Sequence, residues 1–217
     1  MSMLWGIATW LIPLVIAIVF HEVSHGLVAN ALGDPTAKGR GRLSFNPIKH
    51  VDPFGTVLLP MVLAVSGAPV FGWAKPVPVV SQRLRNPRYH MILVALAGPG
   101  MNLLLAVVAA IVFAGVVAAD PQGLVWVFVI QNLVNFMVIN VFLAIFNLIP
   151  LPPFDGGHVV EGLLPRRLAV HFAKLRRFGF PLLIILLLIV PLLFPDANII
   201  ERTILPPVNW IMRLLLP

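Results

Sequence analysis

The stretch Val15-Ile16-Ala17-Ile18-Val19-Phe20-His21-Glu22-Val23-Ser24-His25-Gly26-Leu27-Val28-Ala29-Asn30-Ala31-Leu32 sets two histidines and a glutamate in the middle of an apolar run. About 20 apolar residues suffice to cross a bilayer, so the sequence predicts a membrane-spanning helix here. Ionisable groups at that depth are expensive and are kept for function. His21 and His25, four apart, share one helical face, where two neutral imidazoles can bind one Zn²⁺. Glu22 stands beside that metal position and can take a proton from water bound there.

Composition supports lipid as the main solvent. Of 217 residues, 59% are hydrophobic and 11% are charged, with a mean hydropathy of +0.99; soluble domains carry roughly 25% charged residues. The chain has no cysteine, which removes disulfides, thiolate ligands and cysteine nucleophiles and leaves His, Asp, Glu or Asn to hold any metal. The net charge of +7 does not point to nucleic acid. Of the 15 Lys and Arg residues, 13 fall in the connections 34–90 and 155–177, and only Arg202 and Arg213 lie elsewhere. Basic connections of this kind mark the cytoplasmic side of a multi-pass membrane protein. No cleavable signal peptide is expected, because the first apolar segment carries the metal motif.

The expected fold is all-α and polytopic. A core over 1–165 contains spans at about 3–32, 91–118 and 124–149, and further membrane helix or helices follow over 166–217. Pro13 is expected to kink the first span, and Gly33-Asp34-Pro35 ends it. Residues 53–66 are apolar but too short to cross, and basic loops flank them on both sides. A re-entrant, strand-like insertion is therefore expected over about 43–80, with 71–79 as extended chain that Pro76 and Pro78 confine to an edge. The tail, with Pro206-Pro207, reads equally as interfacial or as a short last span.

A catalytic zinc needs a third protein ligand. Asp155 is the best candidate: it follows a proline-broken helix and opens a glycine turn, although an N-cap or Asx turn would also suit it. His158, three residues on, is the rival ligand. Asn102 and Asn147 are side-chain amides near the right depth for an oxyanion or a substrate carbonyl, or for plain hydrogen bonding between helices. Gly98 and Gly100 read as packing devices, His50 and Asp52 as turn formers, His90 and His171 as facing headgroups. Trp5, Trp10 and Trp210 read as interfacial anchors.

Three pieces, His21-Glu22-Val23-Ser24-His25, Gly98-Pro99-Gly100-Met101-Asn102 and Asn147-Leu148-Ile149-Pro150-Leu151-Pro152-Pro153-Phe154-Asp155-Gly156, come in the order and spacing of the site-2 protease family. The chain resembles a compact member of it, without PDZ or CBS domains. The resemblance implies His21, His25 and Asp155 as ligands of one Zn²⁺ and Glu22 as the catalytic carboxylate. It also implies a three-helix core and roles for Asn102 and Asn147 near substrate. The expected activity is hydrolysis of peptide bonds in membrane-spanning proteins, to release a signalling factor or clear a remnant. The place expected for it is a prokaryotic cell membrane, with the metal site nearer the cytoplasmic face. A regulatory membrane partner or a homo-oligomer is left open. The rival readings are a transporter or metal-ion permease using the same polar cluster, an inactive chaperone of membrane segments, and a prenyl-protein protease. The first would show duplicated halves, the second would have lost Glu22 or a ligand, and the third would take a glutamate as third ligand.

Overall fold

Three long apolar helices form the frame of the computed structural model, which describes residues 3–66, 72–185, 189–193 and 200–216. They are α1 (Met3–Ala31), α4 (Pro87–Ala118) and α5 (Leu124–Asn147); the short helices α2 (Thr36–Gly39) and α3 (Leu59–Ser66) lie between the first two. With 29, 32 and 24 residues at 1.5 Å each, α1, α4 and α5 exceed the ~30 Å of a hydrocarbon core. Among the described residues they are the three helices long and apolar enough to cross a membrane. The expected limits agree closely, except that α4 begins at Pro87. Its start is a local signal: Asn86 accepts from the Tyr89 N–H at 3.4 Å as N-cap, and proline takes the first helical position.

A buried row runs along α1 through Thr9, Pro13, Ala17, His21, His25 and Ala29, one residue every four. This ridge packs on α4 and α5. On α4 the inward stripe is Ala95, Gly98, Asn102, Ala106, Ala109 and Ala110. Small side chains there bring backbones close, which matters because lipid supplies no hydrophobic drive between helices. Polar contacts fix the register. Trp5 Nε1 donates to Gln131 Oε1 at 2.8 Å, Asn135 Nδ2 to the Thr9 carbonyl at 2.8 Å, and Asn102 Nδ2 to the Ala17 carbonyl at 3.3 Å. Since 5 meets 131 and 9 meets 135, α1 and α5 run parallel. Since 17 meets 102 and 25 meets 94, α4 runs antiparallel to α1. Trp5 is thus a bridge between helices as well as an aromatic near one end, with its ring edge-on to Phe128 at 5.0 Å.

The expected re-entrant, strand-like insertion is not what forms. Residues Pro53–Leu58 make a π-helical turn capped by Asp52, whose Oδ1 accepts from Phe54 and Gly55 N–H at 3.0 and 2.8 Å, and this turn runs into α3. Residues 72–80 are extended but pair with no strand, and no strand occurs among the described residues. Pro76 and Pro78 have no N–H to give. The donors that remain go elsewhere: Trp73 N–H to Gly55, Lys75 N–H to His50 (2.8 Å) and Val77 N–H to a side chain of α1. Part of the expected insertion, residues 67–71, lies outside the described residues.

Beyond α5 a proline-rich turn leads into α6 (Asp155–Leu163) and α7 (Arg166–Ala173), then α8 (Gly179–Ile184) and α9 (Val190–Leu193). Arg88 clamps the end of α6 to α4, donating to the carbonyls of Gly162 at 2.8 Å and Leu164 at 2.5 Å, as cations do for open helix C-termini. The expected span at 178–194 lies partly outside the described residues. Helix α10 (Leu205–Leu215) has 11 residues, about 17 Å, too short to cross. It instead buries Val208 and Met212 against Ala106, Ala109, Met137 and Val141 of α4 and α5.

Candidate metal centre

His21 and His25 lie ten and six residues before the end of α1, about 15 and 9 Å along the axis. Asp155 opens α6 and reaches the same point because the turn 148–154 folds back over the end of α5. Gly156 permits that fold: a Cβ there would run into the carbonyl oxygens of Leu148 and Ile149. His21 Nε2 and His25 Nε2 are 3.0 Å apart, and Asp155 Oδ2 is 3.2 and 3.3 Å from them. Gly98 of α4 forms the floor. A Cβ at this position would stand 2.5 Å from both His21 Cε1 and His25 Nε2.

The protonation pattern follows from the partners. His25 Nδ1 faces the Val94 carbonyl at 2.7 Å, an acceptor, so Nδ1 carries the proton. His21 Nδ1 faces Asn102 Oδ1 at 2.6 Å; the Asn102 amide is oriented by its own NH₂, which donates to the Ala17 carbonyl and to Asn140 Oδ1. In the neutral rings, the form in which imidazoles bind metal, both Nε2 atoms then present lone pairs. They meet the buried Asp155 Oδ2, an oxygen with no hydrogen-bond partner. With both rings neutral these are three acceptors 3.0–3.3 Å apart, which repel one another unless a cation sits between them. Tetrahedral bonds of about 2.0–2.1 Å to a zinc ion imply ligand separations of about 3.3–3.4 Å, and an N,N,O donor set suits that ion. The residues fit zinc. Among the described residues this is the one group of His, Asp and Glu whose ligand atoms all lie within 4.8 Å.

Glu22 is half-buried on α1, close enough to His25 for its charge to act on that imidazole. Its Oε2 accepts the Val77 N–H at 2.8 Å. Asn102 is fully buried, and every polar atom of its amide is engaged with His21, Ala17 or Asn140. Asn147 turns its amide back on α5, donating to the Leu143 carbonyl at 3.0 Å. His158 stands apart from the triad: Arg176 donates to its Nδ1 at 3.2 Å and also pairs with Glu161. Burial, and then the Arg176 charge, hold the His158 imidazole below the usual histidine range. His50 is buried with Nε2 on the Ser44 carbonyl at 2.8 Å, a loop-forming contact.

Sequence reasoning did not single out Asn140 or Asp34. Asn140 had a signal, as one of several amides in the apolar run 124–147. Asp34 had only its place after Gly33.

The profile of peptidase family M50 matches residues 9–122 and 115–190. The chain is 37% identical over 216 residues to "Putative zinc metalloprotease YwhC" of Bacillus subtilis, covering 94% of this chain and 93% of that protein. It is 31% identical over 190 residues to "Putative zinc metalloprotease Rip2" of Mycolicibacterium smegmatis, covering 86% and 67%. To the Rip2 protein of Mycobacterium tuberculosis it is 30% identical over 184 residues, covering 84% and 66%. No solved structure matches it. With its three apolar helices and a His-His-Asp group suited to zinc, the chain belongs to peptidase family M50, the site-2 proteases, and is a zinc-dependent metalloprotease.

Proposed function

We propose that His21, His25 and Asp155 hold one zinc ion, that Glu22 is the catalytic carboxylate, and that the enzyme hydrolyses peptide bonds of membrane-spanning proteins within the bilayer. The observation that carries this reading is the convergence of two imidazole lone pairs and the unpaired Asp155 oxygen at cation-sized separations. Bound there, zinc supplies Lewis acidity, which activates water and polarises a carbonyl. Glu22 accepts a proton from the attacking water and returns it to the leaving amine. The Val77 N–H on Oε2 restrains the rotation of the carboxylate and leaves its other oxygen for proton transfer. Asn102, with its amide fully engaged, orients His21 rather than binding substrate. Asn147 spends one amide hydrogen on Leu143 and has a second for a substrate carbonyl.

The basic connections argue for an orientation with the metal nearer the cytoplasmic face, and the bacterial relatives for a prokaryotic cell membrane. Transporters are often built from duplicated halves, and the sequence holds no second copy of the His21–His25 motif.

The test is metal analysis and cleavage of a single-span substrate by protein purified in detergent. Wild type should carry about one zinc per chain. His21→Ala and Asp155→Ala should lose it. Glu22→Gln should keep the metal and lose at least ~10²-fold in turnover. Full turnover in Glu22→Gln, or undiminished zinc in Asp155→Ala, would overturn the assignment.

A further inference from the structure

A hydrogen-bond chain of fixed polarity runs from the main chain of α5 to the metal centre. Asn140 Nδ2 donates to the Phe136 carbonyl at 2.8 Å, Asn102 Nδ2 donates to Asn140 Oδ1 at 2.8 Å, and His21 Nδ1 donates to Asn102 Oδ1 at 2.6 Å. Asn102 and Asn140 are both fully buried. The Phe136 carbonyl can only accept, so the Asn140 amide must turn its NH₂ there and its oxygen to Asn102. Asn102 must then face Asn140 with its NH₂ and His21 with its oxygen. His21 must then keep its proton on Nδ1, so that the neutral ring has its lone pair on Nε2. Reversal of the Asn102 amide would set its oxygen against two acceptors and offer His21 Nδ1 a donor. The proton would then move to Nε2, where a metal ligand cannot carry one.

We propose that Asn140 is a positioning residue for the metal centre: by fixing the amide of Asn102, it holds His21 in the tautomer that binds metal. This rests on the reading of His21 as a ligand. All three core helices then contribute, α1 the imidazole, α4 the amide that orients it, and α5 the amide that orients the first. The Ala17 carbonyl also receives a hydrogen from Asn102, but at 3.3 Å it is the weaker of the two constraints.

The experiment measures zinc affinity by chelator competition on the full chain, with the ¹⁵N shifts of the His21 ring recorded in zinc-free protein. Asn140→Leu removes the acceptor and should weaken zinc binding about 10–100-fold, the usual consequence of losing such outer support. It should also shift the His21 ring from one tautomer to a mixture, which a merely structural loss would not do. Asn140→Asp, which as the neutral acid in this buried site can donate to the Phe136 carbonyl and still accept from Asn102, should bind zinc within a few-fold of wild type. Asn140→Ser, whose hydroxyl can still bond the Phe136 carbonyl but is too short to reach Asn102, should behave like the leucine variant and stands in if that one fails to fold. In an Asn102→Leu background, Asn140→Leu should add nothing further. Wild-type affinity and an unchanged tautomer in Asn140→Leu and Asn140→Ser, with zinc still lost in His21→Ala, would overturn the role of Asn140 and leave Ala17 as the orienting group. Undiminished zinc in His21→Ala would overturn the ligand reading itself, and this inference with it.

Discussion

At Gly98 a single hydrogen in place of a methyl separates the two imidazoles of the proposed metal centre from a clash. The position is mid-helix, where alanine is ordinarily better than glycine by about 1 kcal/mol, yet a Cβ would stand 2.5 Å from both imidazoles. Gly98→Ala should therefore lose most of its zinc, read by metal analysis, while the helix itself holds. Gly100, two residues on, is exposed with nothing within 4 Å of a Cβ. Gly100→Ala should keep its zinc and raise the thermal midpoint in detergent, in line with a gain of roughly 0.5–1 kcal/mol. The sequence reading took both glycines as packing devices, and the structure supports that only for Gly98. A motif written as a string does not say which of its members faces the neighbouring helix. That His21 and His25 meet, with Glu22 beside them, was legible because their relation is local, fixed by 3.6 residues per turn. The approach of Asp155 to the two histidines was legible through its turn. Asn140 was not, because its meaning lies in Asn102, 38 positions away on another helix.

The extended segment 72–80 is held at two points, through Val77 to Glu22 of α1 and through Val80 to Asp34 in the turn that follows α1. Asp34 is fully buried. It accepts from the Val80 N–H at 2.6 Å, from the Thr36 N–H at 3.1 Å and from the Thr36 hydroxyl, with Arg83 nearby on Thr36. Burial alone would raise its pKa, but these donors and the Arg83 charge outweigh it and hold the carboxyl below the usual carboxylate range. A depressed folded-state pKa means that the contribution is fully present above the unfolded value of about 3.9 and is lost as pH falls through the folded one. Asp34→Asn keeps one acceptor of two and should cost about 2–3 kcal/mol at neutral pH, the scale of hydrogen bonds to a charged group. The checks are the thermal midpoint and the rate of proteolysis within 72–86. The gap between variant and wild type should close as pH falls below the folded-state pKa of Asp34. A gap independent of pH would mean that the carboxylate charge is not what docks the segment. The sequence foresaw extended chain here because of its prolines, but strand pairing needs a partner, and that partner cannot be read from the segment alone.

For the whole molecule, the alternation of α1, α4 and α5 puts the connections 34–86 and 148–177 at one end and the turn 119–123 at the other. The contacts of Trp5 with Gln131 and of His25 with Val94 fix this arrangement without reference to charge. The basic residues Lys38, Arg40, Arg42, Lys75, Arg85, Arg166 and Lys174 then all fall at the end where the metal centre lies, and the 119–123 turn has none. This much of the architecture was legible, because span length and loop charge are one-dimensional properties. The tail was not. A short apolar helix such as α10 can lie at an interface or pack on a bundle, and the choice rests on the groove that α4 and α5 offer it. The orientation yields a direct prediction, since a chain without cysteine has no background in thiol labelling. Single variants Arg40→Cys, Lys174→Cys and Gln122→Cys lie at exposed positions. In intact bacterial cells a membrane-impermeant maleimide should label Gln122→Cys alone, and the other two should react only after the cells are opened. The reverse pattern would put the metal centre nearer the outer face. Labelling of Arg40→Cys and Lys174→Cys from opposite sides would go further, because it would contradict the antiparallel packing on which the meeting of Asp155 with His21 and His25 depends.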